Sequence, residues 1–237
     1  MTKEKTKGLS RLLFSFTGFL LFVVFMASVR ASTLTDDEQK TVSFSQSNFG
    51  QQASLRVKAW LELTHSLQQQ PLSSQLNNVN NFFNQLVFID DIKLWGLKDY
   101  WASPLEFLNV GGGDCEDFSI AKYTSLRKLG INDQKLRLIY VKSLRLNQFH
   151  MVVAYYETPS SMPLILDNIE SEIKPANQRS DLVPVYSFNA TNLWVIQDKS
   201  AGGQTVLAGN SSKLSLWQNL RQRRKQDLRH PIINLDQ

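Results

Sequence analysis

The spacing of apolar residues changes near residue 130, and that change sets the fold class. Before it the repeats are helical. Leu55, Ala59, Leu63 and Leu67 recur at i, i+4 in the polar stretch from Asp36 to Gln70, which predicts a helix ending at Pro71. Leu76, Val79, Phe83 and Leu86 predict a second, over about Ser73 to Val87, although Asn77, Asn78, Asn80, Asn81 and Asn84 are poor helix formers. Ser103 followed by Pro104 and Glu106 reads as a capping box with proline at the first helical position. Phe118, Ala121, Ser125 or Leu126, and Leu129 carry the helical period onward, with Gly130 at the expected C-cap.

Beyond Gly130 the pattern is extended. Leu136 to Val141, Phe149 to Tyr156, Leu164 to Asn168, Val183 to Phe188 and Leu193 to Ile196 read as strands. Short polar connections such as Glu157 to Pro163 favour antiparallel pairing. Gly202 to Ser212 reads as a loop, and Leu214, Trp217 and Leu220 as a last short helix. Helices followed by a run of strands predict an α+β class with a largely antiparallel sheet.

The helical and extended halves meet at Gly111-Gly112-Gly113-Asp114-Cys115-Glu116-Asp117. Cys115 is the only cysteine, and it falls in the first turn of a predicted helix. Unpaired backbone N–H groups and the helix dipole favour a thiolate there. The three glycines allow a sharp turn and a close substrate approach. A lone cysteine is most often a small buried hydrophobe; one that follows a glycine run at an acidic helix start points to chemistry. The aromatic segment before it, with Trp95, Tyr100 and Trp101, reads mainly as core, with one ring as a candidate cleft wall.

Charge and the N-terminus narrow the setting. Lys3, Lys5, Lys7 and Arg11 precede an apolar run from Leu12 to Met26, and Val29-Arg30-Ala31 offers a small-residue cleavage site. Residues 1–31 are therefore expected to be a signal peptide or an uncleaved membrane anchor, with the domain spanning 32–237. The net charge of +5 is mostly theirs: they hold five basic residues and one acidic, leaving 21 basic against 20 acidic elsewhere. Arg221, Arg223, Arg224, Lys225 and Arg229 form a basic tail, expected to be a solvated helix end. The slightly acidic body between them gives no charge argument for nucleic-acid binding. An exported chain with one cysteine cannot staple itself, so its thiol is either buried or used.

Of the three histidines, His65 sits in a polar helix and His230 in the basic tail. His150 opens a strongly apolar strand, and Asp167 closes the Leu164-Ile165-Leu166 run seventeen residues on. Adjacent antiparallel strands would bring these two together. The expected arrangement is Cys115 as nucleophile, His150 as base and later acid, and Asp167 as the group that orients the imidazole. The Cys115 N–H is a candidate oxyanion donor.

Gly113-Asp114-Cys115-Glu116-Asp117 with Ala121-Lys122-Tyr123, then His150-Met151-Val152, then Leu166-Asp167-Asn168, resemble the bacterial transglutaminase-like cysteine proteinases in order and spacing. The similarity runs from about Trp60 to Trp194. It implies a papain or transglutaminase-like fold and a periplasmic endopeptidase. The implied substrate is the N-terminal region of a large surface adhesin, cut at a paired-alanine site so that cells leave the biofilm. The implied regulator is an inner-membrane cyclic-di-GMP receptor resembling LapD. Calcium dependence is implied as well, carried by Asp114, Glu116 and Asp117. Local chemistry agrees, because three carboxylates beside a thiol oppose its ionisation and a Ca²⁺ ion would cancel that effect. The alternatives are a transglutaminase or amidase on the same triad and an inactive binding module that kept the scaffold.

Overall fold

The computed structural model describes residues 34–196 and 205–236. The expected export segment, residues 1–31, lies outside the described residues. No described helix is long and apolar enough to cross a membrane.

Two helices occupy the stretch read as one. α1 (Asp36–Phe49) opens on a capping box in which the Thr35 side chain and Glu38 exchange hydrogen bonds, and it stops at Gly50, whose φ of 94° a helix cannot accommodate. α2 (Gln51–Leu67) follows directly. Its buried stripe is Ala53, Val57, Leu61, Thr64 and Leu67, whereas Leu55 is exposed. Of the predicted stripe, Leu67 is buried and Leu63 packs half-buried against the core, while Leu55 and Ala59 face outward. α3 (Leu72–Phe83) ends earlier than expected, because Val87 and Phe88 form a short strand, β1 (Val87–Phe88). After α4 (Asp91–Leu94), α5 (Pro104–Val110) starts at the predicted box, with Ser103 accepting from the Glu106 N–H and Glu106 reaching back.

β2 (Gly112–Gly113) pairs in parallel with β1, and α6 (Cys115–Lys128) begins immediately after it. The main sheet has seven strands, all antiparallel: β3 (Leu136–Ser143), β4 (Gln148–Tyr155), β5 (Leu164–Leu166), β6 (Lys174–Pro175), β7 (Leu182–Phe188), β8 (Asn192–Ile196) and β9 (Thr205–Asn210). Their spatial order is β6-β5-β4-β3-β7-β8-β9. The α+β expectation holds. β9 corrects the reading of Gly202 to Ser212 as a loop: its described part pairs with β8 from Asn192 to Ile196. Alternation divides the sheet's two faces. Leu136, Leu138, Met151, Val153 and Leu166 join the main core with α6, while Ile139, Val141, Val152, Ala154 and Ile165 form a second, smaller cluster.

α7 (Ser215–Gln222) packs Trp217 edge-on against Phe188 and Tyr123. Of the basic tail, Arg223 and Arg229 are docked, which corrects the expectation of a solvated end for these two, while Arg221, Arg224 and Lys225 are exposed. Arg223 pairs with fully buried Glu106 and donates to the Trp101 carbonyl. Arg229 donates its backbone N–H to Glu106 and a guanidinium N–H to the Trp95 carbonyl. Arg56 of α2 forks onto Asp236 and donates to the Leu108 and Asn109 carbonyls at the end of α5. The chain end therefore straps down the segment that leads to Cys115.

Candidate active site

Local rules aim Cys115. α5 ends on Gly111 in the left-handed region at φ 82°, a turn that costs glycine least. The chain then passes through β2 and enters α6 with Asp114 at the N-cap. Gly113 is required for packing: a Cβ there would lie 2.2 Å from Asp117 Oδ2. The glycines thus give close approach to the protein's own groups, not the substrate access their sequence suggested. Asp117 is fully buried and accepts from the Ala102 N–H at 2.7 Å and the Asp114 N–H at 3.3 Å. These bonds pin the first turn of α6 to the aromatic segment before it.

The thiol is almost wholly buried. Sγ donates to Glu116 Oε2 at 2.8 Å and lies by the Met151 backbone of β4. Burial first, then the charges of Glu116 and Asp114, push its pKa well above the ordinary thiol value.

Next to Met151 stands His150, 1% exposed, whose Nε2 lies 2.7 Å from Asp167 Oδ1. The pairing of Val153 with Leu166 brings the ends of β4 and β5 together and delivers this contact. Asp167 Oδ1 also accepts the Ile169 N–H at 3.0 Å, and Oδ2 accepts Arg179 Nη2 at 2.8 Å. Burial raises the Asp167 pKa, but these bonds from His150, Ile169 and Arg179 outweigh it and hold the carboxyl below its usual range. Asp167 is thus an anion that engages the imidazole through Nε2, which leaves Nδ1 uncommitted, while the thiol's own hydrogen bond goes to Glu116 and not to His150. Asn84, just past α3, fixes the Asp167 backbone by donating to its carbonyl at 2.9 Å.

The acidic residues divide. Asp114 and Asp117 come together with Asp91 of α4, carboxylate oxygens within 4.8 Å of one another, while Glu116 turns to the thiol and groups with Asp114 and Cys115. Burial and mutual repulsion push Asp114 up to about 11 and Asp117 well above the carboxylate range. Burial likewise raises Asp91 to about 7, although the Tyr100 N–H donates to it. Asp91 Oδ1 and Asp114 Oδ1 are buried without a hydrogen-bond partner. Clustered, unsatisfied carboxylate oxygens are the donor set of a hard divalent cation such as Ca²⁺, so these residues fit one.

Other expectations resolve simply. His65 binds Glu38 on α1, and His230 stacks on Phe49, so neither approaches Cys115. Trp95 and Trp101 are core, Trp101 stacking on Phe188. Sequence reading missed Asp91 and Arg179. The Asp90-Asp91 pair opening the aromatic segment was a visible signal for the first; no local pattern marked the second.

A thiol at the start of a helix that lies against an antiparallel sheet, beside a histidine–carboxylate pair on neighbouring strands, defines a cysteine hydrolase of the papain and transglutaminase architecture. Within that class the chain belongs to the bacterial transglutaminase-like cysteine proteinases, whose family model matches residues 42–219. It is a cysteine protease. EGTA-treated LapG of Legionella pneumophila is 44% identical, covers 77% of this chain and 95% of its own, and superposes with a TM-score of 0.68. Calcium-bound LapG is 43% identical over 78% of this chain and 97% of its own, with a TM-score of 0.66. A comparison with curated protein sequences found no match.

Proposed function

We propose that this protein is a calcium-dependent periplasmic endopeptidase that cleaves the N-terminal region of a large surface adhesin at a paired-alanine site, releasing it and dispersing the biofilm. A LapD-like inner-membrane receptor for cyclic di-GMP would restrain it. The observation that carries this reading is the buried carboxylate cluster beside the thiol, in a chain 44% identical to LapG, a protein solved in both calcium-bound and EGTA-treated states.

In this mechanism His150 takes the Cys115 proton, and the thiolate adds to the scissile carbonyl carbon. Asp167 stabilises the imidazolium that results. The Cys115 N–H, unpaired within its helix, donates to the developing oxyanion. Collapse expels the amine, which takes the proton from His150 and leaves a thioester. His150 then removes a proton from water, which attacks the thioester and restores the thiol. Asp91, Asp114 and Asp117, with Glu116 adjacent, would hold the calcium ion. Its charge offsets the carboxylates that oppose thiolate formation.

The test is to incubate the chain with a periplasmic adhesin fragment in Ca²⁺ or EGTA, with Cys115→Ala as control. Cleavage dependent on both calcium and the thiol is expected; cleavage by Cys115→Ala would refute the assignment. Incorporation of an added primary amine during turnover would instead mark a transglutaminase. An unreactive thiol and no cleavage would mark a binding module.

A further inference from the structure

On the face of the sheet that carries the smaller apolar cluster lies a cavity of about 280 Å³. Ile139, Val141, Val152 and Ile165 give it an apolar lining, and the Pro159 to Pro163 connection borders it. Two arginines line it as well, each more than nine-tenths buried: Arg137 and Arg179.

Arg137 packs between aromatic rings, its Cζ 4.0 Å from the Trp194 centroid and 4.7 Å from that of Tyr156. Its Nη1 donates to Thr205 Oγ1 at 3.2 Å, its Nε has no hydrogen-bond partner, and no carboxylate pairs with it among the described residues. Arg179 commits Nε and Nη2 to Asp181 and Asp167, which leaves buried Nη1 unpartnered. A buried donor left without an acceptor is costly. An apolar chamber carrying two unused guanidinium donors selects an anion with an apolar body. Cations are repelled. Neutral apolar molecules leave the donors unpaired, and polyanions gain nothing from the lining.

We propose that this cavity is a second ligand site, taking a small monocarboxylate with an apolar body, whose carboxylate binds the free N–H groups of Arg137 and Arg179. The site is linked to the active centre, because the same Arg179 guanidinium holds Asp167. A carboxylate on Nη1 draws on the charge that stabilises the Asp167 anion, so occupancy alters the histidine–aspartate pair.

The experiment titrates the full chain with decanoate, with 1-decanol and decyltrimethylammonium as controls, read by calorimetry and by Trp194 fluorescence against a Trp194→Phe reference. Decanoate is expected to bind at least tenfold tighter than decanol, and the ammonium not at all. Arg137→Gln should weaken decanoate at least tenfold and leave basal proteolysis unchanged. Ala176→Leu, which fills the cavity and keeps both charges, should also block it, so an unfolded Arg137 variant does not end the test. At a fixed pH, decanoate should change the rate of Cys115 alkylation by iodoacetamide at least threefold in the unmodified chain but not in Arg137→Gln. Equal binding of decanoate and decanol, or binding indifferent to both variants, overturns the site. An unmoved alkylation rate overturns the link. Binding is read without proteolysis, so its failure is separate from any failure of the protease reading.

Discussion

Lys122 allows a quantitative test of the electrostatics behind the active site. It lies two turns along α6 from Cys115, 1% exposed, with no hydrogen-bond partner for Nζ and only the Phe118 ring, 5.9 Å away, as a cation–π neighbour. Burial lowers its pKa from 10.5 to about 7, with the Asp167 charge opposing only part of the fall. At about 1.4 kcal/mol per pH unit, that difference penalises the ammonium form by about 5 kcal/mol in the folded state. Between pH 7 and 10.5 the unfolded chain holds a proton that the folded chain has released, so stability rises with pH across this window and the penalty is gone above it. Lys122→Met keeps the apolar stem and removes the titrating group. It should raise stability by several kcal/mol at pH 6.5 and by far less at pH 10. Urea unfolding in the Cys115→Ala background, which prevents self-cleavage, measures both values. A loss of stability of the same size at both pH values would refute the reasoning and show that Nζ carries no uncompensated charge.

Three further outcomes are expected. Asp91→Asn should weaken calcium binding at least tenfold by calorimetry and leave the calcium-free fold as stable or more so, since it removes a buried repelling charge; unchanged affinity would remove Asp91 from the cation site. Gly113→Ala forces a methyl group onto the Asp117 carboxylate. It should cost about 1–3 kcal/mol and reduce the calcium-dependent rise in melting temperature, whereas an unaltered calcium shift would mean that Asp117 is not a ligand. Arg223→Leu removes a partner of buried Glu106 and should destabilise by about 3–5 kcal/mol, with much of the loss recovered in the Glu106→Gln double variant; a change below about 1 kcal/mol would mean that the tail's ion pair contributes little.

What the sequence made legible was local. The Ser103, Pro104 and Glu106 signature specified its own hydrogen bonds, and the structure places them as read. The five predicted strands exist because short, nearly continuous apolar runs bounded by polar connections are what strands buried on both faces look like. His150 and Asp167 stood out as charges at the edges of apolar runs, and antiparallel pairing does bring them together. Tertiary context decided the rest. Gly50 broke a helix whose apolar spacing appeared continuous, and the buried stripe rotated to Ala53, Val57 and Leu61. Thr205 to Asn210 has exposed side chains along much of its length, so an edge strand looked like a loop. Arg179 lies twelve residues beyond Asp167, and Asp91 joins Asp114 and Asp117 from another helix, so neither fell in the windows that marked the site. The basic tail looked solvated because its anchors, Glu106 and backbone carbonyls, lie more than a hundred residues earlier.

That strap gives the protease an order of assembly. Glu106 sits just ahead of the nucleophile, and it waits 117 residues of further synthesis for the Arg223 side chain and 123 for the Arg229 backbone N–H. Thr35, Ser103 and Asp117 form their bonds within three residues or within neighbouring turns. During synthesis the thiol therefore emerges long before the groups that secure its supporting segment. The stretch just ahead of the nucleophile is tied down only once the tail has been made.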